Sequence, residues 1–180
     1  MENNVYTMEI AGQTRHLPIC PVNEHLDIAA FVMFGDVELT IAAAEQLLAR
    51  APEYDVIITA ESKGIPLAYE MSRQSGKKYI LARKSKKLYM KKAIAVDVKS
   101  ITTEKLQELY LDIDDMDYLK GKRVLIVDDV ISTGESLAAL EHLVQKAGGT
   151  IAAKATVLAE GDAAKREDII FLAPLPLFFK

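Results

Sequence analysis

After its arginine, the run Arg123-Val124-Leu125-Ile126-Val127 has no polar side chain. A short run without alternation has no face to offer solvent, so it reads as a strand covered on both sides, as in a parallel sheet. Two adjacent carboxylates follow, Asp128 and Asp129. After Val130 and Ile131 comes the turn Ser132-Thr133-Gly134-Glu135-Ser136, and a helical pattern then runs from about Gly134 to Ala147 and stops at Gly148-Gly149. Thr150 to Leu158 reads as the next strand. Strand, helix and strand at this spacing make a βαβ unit.

The same rhythm appears earlier. Tyr54 to Thr59 reads as a strand, Pro66 to Ser75 as a helix ended by Gly76, and Lys78 to Ala82 as a second strand; a further helix covers about Asp36 to Arg50. The expected fold is therefore α/β, a parallel sheet flanked by helices. Two segments depart from it. Residues 1–35 hold two prolines, two of the three histidines and Cys20, and read as a small N-terminal flap or hood. Residues 84–120 open with Lys84, Lys86, Lys87, Lys91 and Lys92. They continue through Val96-Asp97-Val98-Lys99 and Leu109-Tyr110-Leu111-Asp112, which alternate like a hairpin. A long polar excursion between core strands is expected to be a flexible active-site loop.

At 180 residues, half of them apolar, the chain is expected to form one domain over 1–180 with a substantial core. Lys and Arg number 22 against 26 Asp and Glu, a net charge of −4 that suits solubility and argues against nucleic acid as a partner. The longest apolar stretch, Ile169 to Phe179, contains Pro174 and Pro176 and falls short of the roughly 20 residues a membrane helix needs. With acidic Glu2 and no apolar leader-like run, a cytoplasmic location is expected. The lone Cys20 allows neither an internal disulfide nor a cysteine-built metal cage and reads as a small core residue. His16, His25 and His142 show no metal-ligand spacing, so no protein-built metal site is expected.

The chemistry concentrates after the strand 123–127. A helix N-terminus carries unpaired N–H groups and the positive end of the helix dipole. Gly134 lets the backbone wrap a ligand, and Ser132, Thr133 and Ser136 add hydroxyl donors, which together make a phosphate cradle. No Gly-Lys-Ser/Thr is present, so this is not a Walker loop. Asp128 and Asp129 would repel phosphate but accept hydrogen bonds from the hydroxyls of a neighbouring polyol, or orient magnesium through water. Phosphate plus polyol suggests a ribose 5-phosphate moiety. The plainer reading of the same residues is an N-capped helix after a strand with two solvated aspartates.

The thirteen residues Val124 to Ser136 resemble the signature of the type I phosphoribosyltransferases. The resemblance implies that Asp128 and Asp129 contact the ribose hydroxyls of phosphoribosyl diphosphate and that Ser132, Thr133, Gly134, Glu135 and Ser136 hold its 5′-phosphate. Glu61-Ser62-Lys63-Gly64, after the first core strand, is similar to the diphosphate loop of adenine phosphoribosyltransferases, with Lys63 where those enzymes carry arginine. Arg83-Lys84-Ser85-Lys86-Lys87-Leu88 is similar to their basic run, which implies diphosphate contacts from Arg83, Lys84 and Lys87. Their closing loop carries a glutamate that assists chemistry. That position falls on Ser100 here, and Glu104 is the nearest acid to stand in for it as a catalytic residue. The proline-containing apolar C-terminus also looks like these enzymes and is expected to pack on the core. The resemblance implies a hood over the base, Mg2+ as cofactor, a homodimer, and phosphoribosyl transfer from phosphoribosyl diphosphate to a purine base, adenine first, as in purine salvage. The alternatives are a non-catalytic phosphoribosyl diphosphate sensor, suggested by Lys63 and the missing lid glutamate, and a transferase for another purine such as xanthine or hypoxanthine.

Overall fold

A computed structural model of the chain describes residues 4–98 and 107–180. Strands β1 (Val5–Ile10), β2 (Gln13–Asn23) and β3 (Leu26–Ala29) lead into helix α1 (Val37–Arg50). Next come β4 (Val56–Ala60), α2 (Ile65–Ser75) and β5 (Tyr79–Ala82). The antiparallel pair β6 (Ala93–Val98) and β7 (Gln107–Asp112) and helix α3 (Ile113–Leu119) follow. The chain closes with β8 (Arg123–Ile131), α4 (Glu135–Lys146), β9 (Thr150–Glu160), a 3-10 turn at Gly161–Lys165, β10 (Ile170–Leu175) and β11 (Leu177–Phe179). Among the described residues no helix is long and apolar enough to cross a membrane.

The central sheet is parallel, with strand order β10-β9-β8-β4-β5. Its pleat sends alternate side chains to opposite faces. Val56, Ile58, Val124 and Ile126 join a core with Leu137, Leu140 and Leu143 of α4 and Leu119 of α3. Ile57, Leu125, Val127 and Val157 join the opposite core, with Leu39 and Leu47 of α1 and Leu67 and Met71 of α2. Both faces are covered, which is why β4 and β8 carry unbroken apolar runs. Each fully buried Leu, Ile or Val contributes about 1.5–3 kcal/mol.

The order of the strands locates a site. The chain moves outward from β4 to β5, then returns to the other side of β4 and proceeds through β8, β9 and β10. The carboxyl ends of β4 and β8 therefore flank the switch point where open parallel sheets bind ligands.

Residues expected as a hood form the antiparallel sheet β1-β2-β3, completed by β11 from the other end of the chain. Tyr6 and Phe178 meet edge to face at 5.5 Å between ring centres. Arg15 of β2 ties this sheet to α1: its Nε and Nη2 donate to the Asp36 carboxylate at 2.6 and 2.9 Å, while Asp36 Oδ1 accepts from Leu39 N and caps the helix. The Arg15 guanidinium holds the Asp36 carboxyl below its usual range. Cys20 is partly buried on β2.

Three details differ from the pattern read in the sequence. β8 does not end at Val127 but runs through the aspartates to Ile131, because β9 pairs with it up to Ala159. The C-terminal apolar run makes two strands, β10 at the edge of the central sheet and β11 in the hood. Within 84–120, the alternating stretches pair as β6 and β7, and α3 adds a helix whose first N–H is capped by Asp112 at 2.8 Å. Glu104 lies outside the described residues.

Candidate active site at the sheet switch point

Asp128 and Asp129 sit near the carboxyl end of β8, beside the loop that leaves β4. Asp129 is buried, 2% exposed, and its backbone N–H donates to Asp128 Oδ1 at 2.9 Å. Burial, together with the adjoining Asp129 carboxylate, pushes the Asp128 carboxyl up to about 7. The nearest cation is Lys63, whose Nζ lies 3.4 Å from Asp129 Oδ2; that buried oxygen makes no hydrogen bond. Thr59 Oγ1 and Arg83 Nε, at the ends of β4 and β5, are likewise buried without a hydrogen-bond partner. Buried polar atoms left unpaired are rare and call for an explanation.

Gly64 brings the two loops together. A Cβ there would overlap Thr59 Oγ1 and lie 3.1 Å from Asp128 Oδ1 and 3.3 Å from Asp128 Cα. Its φ of −74° suits any residue, so it is proximity that calls for glycine.

Ser132, Thr133, Gly134, Glu135 and Ser136 line a cavity of about 120 Å³ together with Asp128. Gly134 begins α4 at φ +82°, a left-handed conformation that glycine adopts without cost. No side chain caps α4, and none caps α2 at Gly64. By contrast α1 and α3 start away from the crevice and are capped by Asp36 and Asp112. The two helices that open on the switch point thus keep first-turn N–H groups for a ligand. Arg166 flanks Gly134, with Nη1 3.0 Å from where a Cβ would stand. Its other nitrogens are clamped by Asp168 at 2.8 and 2.7 Å, and Asp168 also accepts from Lys154 at 2.5 Å.

Glu61, Ser62, Lys63 and Lys84 share a second cleft of about 180 Å³ with both aspartates and Ser136. The Glu61–Ser62 peptide bond is cis. Glu61 faces the basic loop: its Oε2 accepts from Lys84 N at 2.9 Å, and its Oε1 lies 3.3 Å from Arg83 Nη2 and 3.9 Å from Lys87 Nζ. The carboxylate thereby braces Arg83, Lys84 and Lys87 while it lines the same cleft as Lys63 and both aspartates. Arg83 is fixed further by reciprocal backbone hydrogen bonds with Tyr110 at 2.9 and 2.8 Å.

A third cavity, of about 290 Å³, lies between the hood and the central sheet. Ile28, Phe31 and Val32 form its hood side, and Val130 and Leu175 its floor. Its polar side chains are Lys63, Ser132 and Glu160. Val130 lies in the signature run and Leu175 in the apolar C-terminal stretch, but the sequence pattern gave neither Ile28, Phe31 and Val32 nor Glu160 as site residues. One signal was available for Glu160, because it ends β9 at the carboxyl edge of the sheet. Lys63 borders both the second and third cavities.

Among the described residues no group of three or more His, Cys, Asp or Glu could hold a metal ion. The aspartate pair offers two carboxylates, one with an oxygen that makes no hydrogen bond. That donor set fits a hard cation brought in with a phosphorylated ligand, since magnesium is usually held by one or two carboxylates plus substrate phosphates.

Residues 36–173 match the family model described as the phosphoribosyl transferase domain. An adenine phosphoribosyltransferase of Cenarchaeum symbiosum is 37% identical over 118 residues, 64% of this chain and 66% of the relative, so the chain spans just under two thirds of that protein's length. A hypoxanthine/guanine phosphoribosyltransferase of Methanocella arvoryzae is 33% identical over 147 residues, 82% of this chain and 71% of the relative. The fold is shared with a crystal structure of adenine phosphoribosyltransferase from Rhodothermus marinus, at a TM-score of 0.68 and 21% identity, covering 96% of this chain and 94% of that one.

Proposed function

Because the chain belongs to the phosphoribosyl transferase family, we propose that it transfers the phosphoribosyl group of phosphoribosyl diphosphate to a ring nitrogen of a purine base, releasing diphosphate. The observation that carries this reading is the meeting of two uncapped helix N-termini, those of α2 and α4, at a carboxylate pair, Asp128 and the buried Asp129. One N-terminus suits a monophosphate and the other a diphosphate, and the carboxylates between them suit the sugar hydroxyls that join the two.

Each part then has a task. The Ser132–Ser136 turn holds the 5′-phosphate through backbone N–H groups and hydroxyls. Asp128 and Asp129 orient the ribose. The Ser62–Gly64 loop, Lys84 and the Glu61-braced Arg83 and Lys87 offset the charge of the departing diphosphate, an electrostatic contribution aimed at the transition state. The base sits in the third cavity, between the hood and β8. Asp128 and Asp129 would also hold Mg2+, which when bound supplies positive charge to the leaving diphosphate. Exposed Val37, Ile41 and Tyr69 line an apolar groove between α1 and α2, which supports a homodimer.

The test is diphosphate release with phosphoribosyl diphosphate, magnesium and each of adenine, hypoxanthine, guanine and xanthine. Release with one or more bases is the expected result. Tight binding of phosphoribosyl diphosphate with no release from any base would refute the transfer reaction and favour a sensor.

A further inference from the structure

The base cavity contains one side chain whose chemistry is unspent. Glu160 ends β9, partly buried, opposite Leu175 of β10. Among the described residues its carboxylate makes no hydrogen bond and no ion pair. The other polar side chains of the cavity are accounted for differently: Lys63 leans to Asp129 at 3.4 Å, and Ser132 belongs to the phosphate turn. The remaining wall is apolar, from Ile28, Phe31 and Val32 above to Val130 and Leu175 below.

A carboxylate in such a wall is an acceptor that needs a donor once a ligand displaces its water. We propose that Glu160 is the base-specificity determinant, accepting a hydrogen bond from an exocyclic amino group of the purine. This deepens the transfer reading and rests on it for the identity of the cavity. Purines form two matched pairs for this purpose. Adenine and hypoxanthine differ by an amino group against a carbonyl at one ring carbon, and guanine and xanthine differ in the same way at another. An amino group facing Glu160 completes a charge-assisted hydrogen bond. A carbonyl in its place sets acceptor against acceptor and leaves the carboxylate desolvated and unpaired. A hydrogen bond to a charged group carries a discrimination of roughly ten- to a hundredfold.

The experiment compares binding of AMP with IMP, and of GMP with XMP, by calorimetry on the full chain and on Glu160→Gln, beside kcat/KM for the four bases. Glutamine has the same shape and offers both a donor and an acceptor. The expected result is an amino-over-carbonyl preference of about tenfold or more in at least one pair, falling to within about threefold in Glu160→Gln while the thermal midpoint stays unchanged. Equal binding within both pairs, a carbonyl preference, or an amino preference that survives Glu160→Gln would each overturn the assignment. Because nucleotide binding needs no turnover, selective binding without diphosphate release would refute the transfer reaction and leave the role of Glu160 standing.

Discussion

Replacing Gly64 with alanine tests whether the crevice depends on a close approach of two loops. The added methyl would overlap Thr59 Oγ1 and stand 3.1 Å from Asp128 Oδ1 and 3.3 Å from Asp128 Cα. Asp128 Cα cannot retreat easily, because β8 is an inner strand with β4 on one side and β9 on the other. The backbone at Gly64 is near-helical, so alanine carries no left-handed strain there, although glycine is the better of the two at a helix N-cap, by up to about 1 kcal/mol. What remains is overpacking, about 1–3 kcal/mol. For a chain of this size that lowers Tm by roughly 2–12 °C. The displaced loop carries Ser62 and Lys63, so affinity for phosphoribosyl diphosphate is expected to fall about tenfold or more, as small misplacements of binding groups do. Differential scanning calorimetry and isothermal titration measure the two effects. Thr59→Ala removes the oxygen that the methyl meets, so the Gly64→Ala, Thr59→Ala double variant should be less destabilised than the sum of the singles. A Gly64→Ala protein that melts within about 1 °C of the wild type and binds as tightly would refute the reasoning.

Three further outcomes are expected. Gly134→Val places a branched side chain at φ +82° and against Arg166, so it should weaken ribose 5-phosphate binding by about tenfold or more, read by calorimetry. Glu61→Gln removes the charge that gathers Arg83, Lys84 and Lys87; KM for phosphoribosyl diphosphate should rise several-fold, with the fold kept by circular dichroism. The raised Asp128 carboxyl means that the folded chain binds a proton the unfolded chain has lost between about pH 4 and 7. Its contribution therefore favours the fold at low pH and is lost as pH rises through 7. In urea unfolding without ligand, Asp128→Asn should accordingly gain stability relative to wild type between pH 5 and 8, and a constant difference across that range would rule this out.

Much of the central sheet was legible because its signals are local. The unbroken runs at 56–58 and 124–127 announce strands covered on both faces, and the glycines at 76 and 148–149 mark helix ends. The turn at 132–136 was legible for the same reason, since strand, turn and helix start are contiguous. What could not be read depends on partners distant in sequence. Nothing local says that β8 continues through two aspartates; that follows from its pairing with β9. Nothing in Leu177–Phe179 says that it pairs with Leu26–Ala29. The bracing role of Glu61 is invisible without the 3.3 Å approach of Arg83 from another strand end. Gly64 enters the sequence reading only within a run similar to a diphosphate loop, and its neighbours in space, Thr59 and Asp128, give it a packing reason that the run does not show. Glu160 looks like one more surface acid until the hood is placed above it.

The pairing of β11 with β3 also orders events in time. During synthesis the N-terminal strands emerge early, and the parallel strands β4, β8 and β9 can assemble as they follow. The hood gains its fourth strand only when Leu177 to Phe179 have been made, and only Pro176 separates that strand from β10 in the central sheet. The turns after β4 and β8 can therefore form while the hood sheet still lacks its fourth strand. Such a long-range pairing is slow to find its partner, so completion of the hood sheet is expected to follow assembly of the central sheet.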